Sequence, residues 1–165
     1  MRLEAWVSTR ALVNIIDVYG GKEHHMATVY VHMDGYPTGL GAILVDWMKK
    51  RILVNGLTVS TDGSVSDKEN ADHDNSFEET AVKLIRDLKI EHPNGDVYMS
   101  LKDADAGQEW EYDVVGIDDG ENKGLMIRVY RSWPKKHLVN KQSVKDIEDV
   151  MKWAESVEAQ GEPLT

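Results

Sequence analysis

Two apolar, β-branched runs near the start of the chain restrict its fold more than any other feature. Ala11 to Val18 (ALVNIIDV) and Met26 to Met33 (MATVYVHM) flank YGGKEHH, whose paired glycines tolerate positive φ, and the arrangement predicts a β-hairpin. In the second run, period-two alternation sets Ala27, Val29, Val31 and Met33 toward a core and Thr28, Tyr30, His32 and Asp34 away from it.

Beyond the corner DGYP the apolar period lengthens to that of a helix. Thr38 is placed to cap a helix that carries Leu40, Ile43, Leu44, Trp47 and Met48 on one side and ends near Arg51. Residues 52–75 shift to turn formers and acids and read as a long acidic connection, with a short element at Leu57 to Val59. Ser76 to Lys89 has the capping-box spacing of Ser76 and Glu79 and an apolar face of Phe77, Ala81, Val82, Leu84, Ile85 and Leu88. Val97 to Leu101, Trp110 to Ile117 and Leu125 to Arg131 predict a three-strand meander. Ser143 to Gln160 reads as a last helix, opened by a Ser143 and Asp146 box and stopped at Gly161. Strands and helices do not alternate regularly. The order predicts an α+β domain, a mainly antiparallel sheet of about five strands with about three helices packed on it. A chain of 165 residues suits a single domain.

Composition removes whole classes of function. Without cysteine there is no disulfide framework, no thiol nucleophile and no thiolate metal site, which fits a cytoplasmic setting. No apolar run is long enough to span a membrane, so no membrane partner is expected. A formal net charge of -10 argues against general affinity for nucleic acid. The acids are clustered between Asp62 and Glu79 and again between Asp103 and Glu121, as a surface docking on a basic partner or imitating a nucleic-acid backbone would have them. Ordinary solubility explains the same clusters. The sequence contains no G-x-S-x-G, H-E-x-x-H or Walker pattern, so the reading leans away from an enzyme.

The corner VYVHMDGYPTGLG is the first candidate site. His32 and Asp34 point the same way from the strand, and the helix start near Thr38 offers free N–H groups that Gly39 and Gly41 leave open to an anion. With Gly35 and Tyr36 they form a candidate pocket for a nucleotide-like or other anionic small molecule. The competing reading is a plain corner built by Asp34, Gly35 and Pro37. His32 and Asp34 are two ligands where a metal site needs more, so no metal and no other cofactor is expected, and a metal-dependent phosphoester hydrolase is kept only as the alternative. The second candidate is the run from Arg128 to Lys145, basic without one acid, in which Arg128, Tyr130 and Arg131 could bind an anion or simply form a solvated face. An anion pocket requires these residues to converge on His32 and Tyr36.

Tyr30, His32, Asp34, Gly35, Tyr36, Gly39 and Gly41 also form a segment that resembles small uncharacterised proteins of bacteriophages and some bacterial genomes, departing from them at Met33. The resemblance covers about the first third of the chain. It implies a viral or mobile-element origin, a place in the cytoplasm of an infected bacterium, and an accessory role such as binding a host protein to counter host defence. It implies no catalytic residue.

Overall fold

The computed structural model describes residues 8–54, 73–91, 96–119 and 122–162. The expected element at Leu57 to Val59 lies outside them. In chain order the elements are β1 (Ala11–Tyr19), β2 (Lys22–Val31), a wide helical turn (Pro37–Gly41) running into α1 (Ala42–Lys49), β3 (Ile52–Val54), β4 (His73–Asn75), α2 (Phe77–Glu91), β5 (Val97–Ser100), β6 (Trp110–Asp119), β7 (Asn122–Arg131), β8 (His137–Ser143), a 3-10 turn (Val144–Asp146) and α3 (Val150–Gly161). Six strands form one sheet in the order β5-β2-β1-β6-β7-β8, and β3 and β4 form a small parallel pair of their own.

The α+β class holds, and so does the hairpin, with Gly20 and Gly21 both at positive φ in its turn. The sheet has six strands rather than five because His137–Ser143, inside the basic run, extends it as an outer strand. The meander does not form as expected. β6 and β7 pair, but β5 lies across the sheet against β2, and β6 runs parallel to β1. Helix starts also differ. Ser143 ends β8, and α3 begins seven residues later behind Asp149, whose carboxylate accepts the Lys152 N–H. At α2, Glu79 reaches back to the Asn75 N–H instead of that of Ser76.

All three helices pack on one face of the sheet. Val13, Ile15, Val29, Val31, Tyr112, Val114, Ile127 and Val129 supply the sheet side of this core, facing Leu44 and Met48 of α1, Leu84 and Leu88 of α2, and Ala154 and Val157 of α3. Alternation sends Leu12, Asn14, Ile16, Thr28, Glu111, Asp113 and Val115 to the other face. Most of these are buried too, although no helix among the described residues covers them. The covering piece is the connection after β5, which must cross β2 and β1 to reach β6; its Gln108 bonds to Glu111, and Lys102 and Asp103 lie beside Asn14 and Ile16.

One acid on the helix side, Asp17, is buried, and among the described residues no Lys or Arg pairs with it. Burial, with the nearby Glu78 carboxylate, raises the pKa of Asp17 above its ordinary 3.8. The folded state therefore holds this proton more tightly than the unfolded state, and the charge costs stability once pH rises above the raised value. Asp17→Asn is expected to increase stability to urea at pH 7 and to leave it unchanged below about pH 3.8, where both states are protonated. A variant less stable than the parent at pH 7 contradicts this.

Candidate ligand-binding site

The corner is built from backbone contacts. Asp34 takes left-handed backbone (φ 56°), which turns the chain out of β2 and aims its carbonyl at the Leu40 N–H, 2.9 Å away. Gly35 lies against β1, where its N–H bonds to the Thr9 carbonyl and a Cβ would fall 2.7 Å from the Ala11 Cβ. Its carbonyl accepts the buried Tyr112 hydroxyl at 2.7 Å. Gly39 is held close to the same corner, since a Cβ there would come 2.5 Å from the Asp34 oxygen. Gly39 and Gly41 both donate to the Tyr36 carbonyl, and the Tyr36 hydroxyl donates to Asp34 Oδ1 at 3.3 Å. Thr38 is not the cap; the turn opens at Pro37 behind Tyr36.

The helix start does take an anion, and the chain supplies it. Glu158 of α3 accepts both the Thr38 N–H (2.9 Å) and the Thr38 hydroxyl (2.7 Å) through Oε2. A carboxylate at the first turn is favoured by the free N–H groups and the helix dipole, so this contact fastens α3 to the corner. His32 is turned elsewhere. Its Nδ1 lies 2.7 Å from the Tyr30 hydroxyl, on the face away from the helices, whereas Tyr36 packs against the core.

Nor does the basic run converge on the corner. Arg131 stacks over Trp110 on the helix face and pairs with Glu109 at 3.3 Å. It shares a cross-sheet row with Trp110, Ala11 and Val31, which puts it three strand spacings from the end of β2, about 14 Å. Arg128 and Tyr130 alternate onto the opposite face. Among the described residues no three His, Cys, Asp or Glu side chains are grouped to hold a metal.

That opposite face carries an arrangement the sequence did not announce. His25 Nε2 lies 2.7 Å from Thr28 Oγ1, whose hydroxyl donates to Asn14 Oδ1 at 2.8 Å. Asn14 Nδ2 donates to Asp113 Oδ1 at 3.0 Å, Asp113 Oδ2 meets Arg128 Nε at 3.0 Å, and Arg128 donates to Glu23 Oε1 at 2.6 Å. From His25 to Asp113 the series crosses three strands and has one direction; Arg128 then donates both to Asp113 and to Glu23. An ionised Asp113 can only accept, so Asn14 presents its amide there and its oxygen to Thr28. With its proton spent on Asn14, Thr28 must accept from His25 Nε2–H. Among the described residues nothing bonds to Nδ1, the other nitrogen of the ring.

Electrostatics support the same arrangement. The Arg128 bond holds the Glu23 pKa below its usual value. Burial alone would lower that of Arg128, but the Glu23 bond and the Asp113 charge outweigh it and raise it. Burial and Asp113 raise that of Tyr130. Over this chain lies a cavity of about 160 Å³ lined by residues including Asn14, Ile16, Glu23, His25, Asp103 and Lys136. Asp103 stands there in left-handed backbone, φ 59°. Lys136, which bonds to buried Glu111, also borders a second cavity of about 390 Å³ beside exposed Trp133.

Comparison with protein-family models, with curated proteins and with solved structures finds no match to this chain.

The Tyr112 to Gly35 bond gives the corner a measurable signature. Complete burial, with Glu158 nearby, pushes the Tyr112 pKa well above 10.0. Folding stability is then full below pH 10 and falls as pH rises past it, because only the unfolded state readily loses the proton. Tyr112→Phe is expected to cost about 1–2 kcal/mol at pH 7, by leaving the Gly35 carbonyl without its donor, and to flatten part of the alkaline decline. Tyr36 and Tyr130 are shifted the same way and supply the remainder. Urea titrations at pH 7 and pH 10.5 check both; an unchanged alkaline slope contradicts the assignment.

Proposed function

We propose that this is a binding protein without turnover, whose open-face pocket holds a small polar molecule against His25. The observation that carries the reading is the directed chain from Asp113 through Asn14 and Thr28. It presents His25 Nδ1 as a fixed acceptor for a donor on the ligand. Cations such as Lys136 and acids such as Asp103 line the same cavity, so a ligand of mixed donors and acceptors fits its chemistry. At about 30 Å³ per water, the cavity corresponds to roughly five waters, the size of a small metabolite or one end of a larger one.

Binding is favoured over catalysis by what separates His25 from its carboxylate. An acid–base dyad places the carboxylate directly on the imidazole, where it stabilises the ring's positive charge. Here Asn14 and Thr28 intervene, and Asp113 is already committed to Arg128. The network orients the ring and offers no partner for a proton. The phage-type accessory role follows from the resemblance of the corner segment alone. In that role the ligand or partner is a host molecule, and its retention serves to blunt a host defence.

A thermal-shift screen against single amino acids, nucleotides and sugar phosphates tests the pocket. A true ligand at a hundred times its Kd adds about 2.7 kcal/mol, a shift of several degrees for a chain of this size. His25→Ala is expected to abolish that shift while keeping the melting temperature of the free protein within a few degrees. If every stabilising compound acts equally on the variant, the pocket is not the site.

A further inference from the structure

The cavity over His25 is bordered by charges that the protein pairs and by charges that it does not. Glu23 and Asp113 share Arg128, and Lys136 bonds to buried Glu111. Lys102 and Asp103, consecutive in the turn after β5, line the same cavity and are exposed. Among the described residues neither side chain makes an ion pair or a hydrogen bond. Lys102 is felt in the cavity only as a charge: the Arg128 bond holds the Glu23 carboxyl below its usual range, and the Lys102 ammonium adds to that in smaller measure. One cation, one carboxylate and the bare Nδ1 of His25 therefore border one small space.

We propose that the ligand held against His25 is a free α-amino acid, recognised by its zwitterionic head. The proposal rests on the pocket reading above and names the class of its occupant. The ammonium of the head donates to His25 Nδ1 and faces the Asp103 carboxylate, while its own carboxylate faces the Lys102 ammonium. A ligand charged with one sign answers only half of this wall. A lone carboxylate leaves Asp103 without a cation and meets the Nδ1 lone pair, a lone amine leaves Lys102 without an anion, and a neutral sugar pairs with neither. Exposed ion pairs are individually weak, so selectivity comes from the need to satisfy both ends at once. Size points the same way. The cavity of about 160 Å³ holds roughly five waters, and an amino group, α-carbon and carboxylate together are about five non-hydrogen atoms. The side chain is left outside, so different amino acids bind alike and derivatives blocked at either end are rejected.

Calorimetric titration of the full chain with glycine, alanine and serine tests the assignment, beside acetate, methylamine, N-acetylglycine and glycine methyl ester. The three amino acids are expected to bind within about tenfold of one another, and each of the other four at least about fivefold more weakly than glycine. Lys102→Met keeps the length of the side chain without its charge. Asp103→Asn removes the charge and keeps a residue that tolerates the left-handed backbone of this turn, φ 59°. Each is expected to weaken amino-acid binding about three- to fivefold, and the double variant at least about tenfold, with the melting temperature of the free protein within a few degrees of the parent. His25→Ala separates this proposal from the reading beneath it. If amino acids fail while a nucleotide or sugar phosphate stabilises the parent and not His25→Ala, the amino-acid assignment is overturned and the pocket stands; if no compound acts through His25, both are overturned. Amino-acid binding indifferent to the double variant, or N-acetylglycine or the ester binding as well as glycine, also overturns the proposal.

Discussion

Everything in this fold depends on β1 and β6 lying side by side and parallel, although about a hundred residues separate them. Parallel neighbours cannot be joined by a tight turn, so the chain must travel between them. It makes β2, α1, α2 and the far edge β5 first, and then crosses back over β2 and β1 to enter β6. That return path roofs the face the helices leave uncovered. The sheet is therefore buried on both sides by different means: an apolar core beneath the helices, and a polar layer beneath the connection.

The two layers are held by different physics. On the helix side the contacts are apolar and non-directional, and packing decides them. On the other side Thr28 and Asp113 are buried, and hydrogen bonds and an ion pair join them to half-buried Asn14 and Arg128. Between His25 and Asp113 each donor fixes the next, so the direction of that part follows from one ionised carboxylate. The corner after β2 obeys the same rule. Its N–H groups do not wait for a ligand, because Glu158 of the last helix takes that of Thr38 and the Asp34 and Tyr36 carbonyls take those of Leu40, Gly39 and Gly41. At the corner, and at Arg128 and Arg131 of the basic run, the polar groups are paired within the chain.

Local pattern made much of this legible. The hairpin, the first two helices and the β6–β7 pair follow from alternation, apolar spacing and turn residues. What pattern could not reveal was pairing at long range. β8 was hidden because HLVNKQS is polar for a strand, and it belongs to the sheet only because β7 lies beside it. Ser143 and Asp146 have cap spacing, yet the strand claims Ser143 first. Asn14, an amide amid ALVNIIDV, is the residue that could have pointed to the open-face network, and the sequence reading passed over it. Its partner Asp113 is 99 residues away, so no local window connects them.

The central claim is that the open face carries a hydrogen-bond chain with a fixed direction, ending in a His25 ring whose Nδ1 is bare. Long-range proton–nitrogen correlation spectra of the histidine rings read this directly, because a protonated and a bare ring nitrogen resonate far apart. At a pH where the ring is neutral, the account predicts His25 as the Nε2–H tautomer, with Nε2 in the protonated range and Nδ1 in the bare one. Asp113→Asn should weaken that preference, since its amide no longer forces the order of the chain. A neutral His25 carrying its proton on Nδ1, or averaging equally between the two nitrogens, would contradict the account.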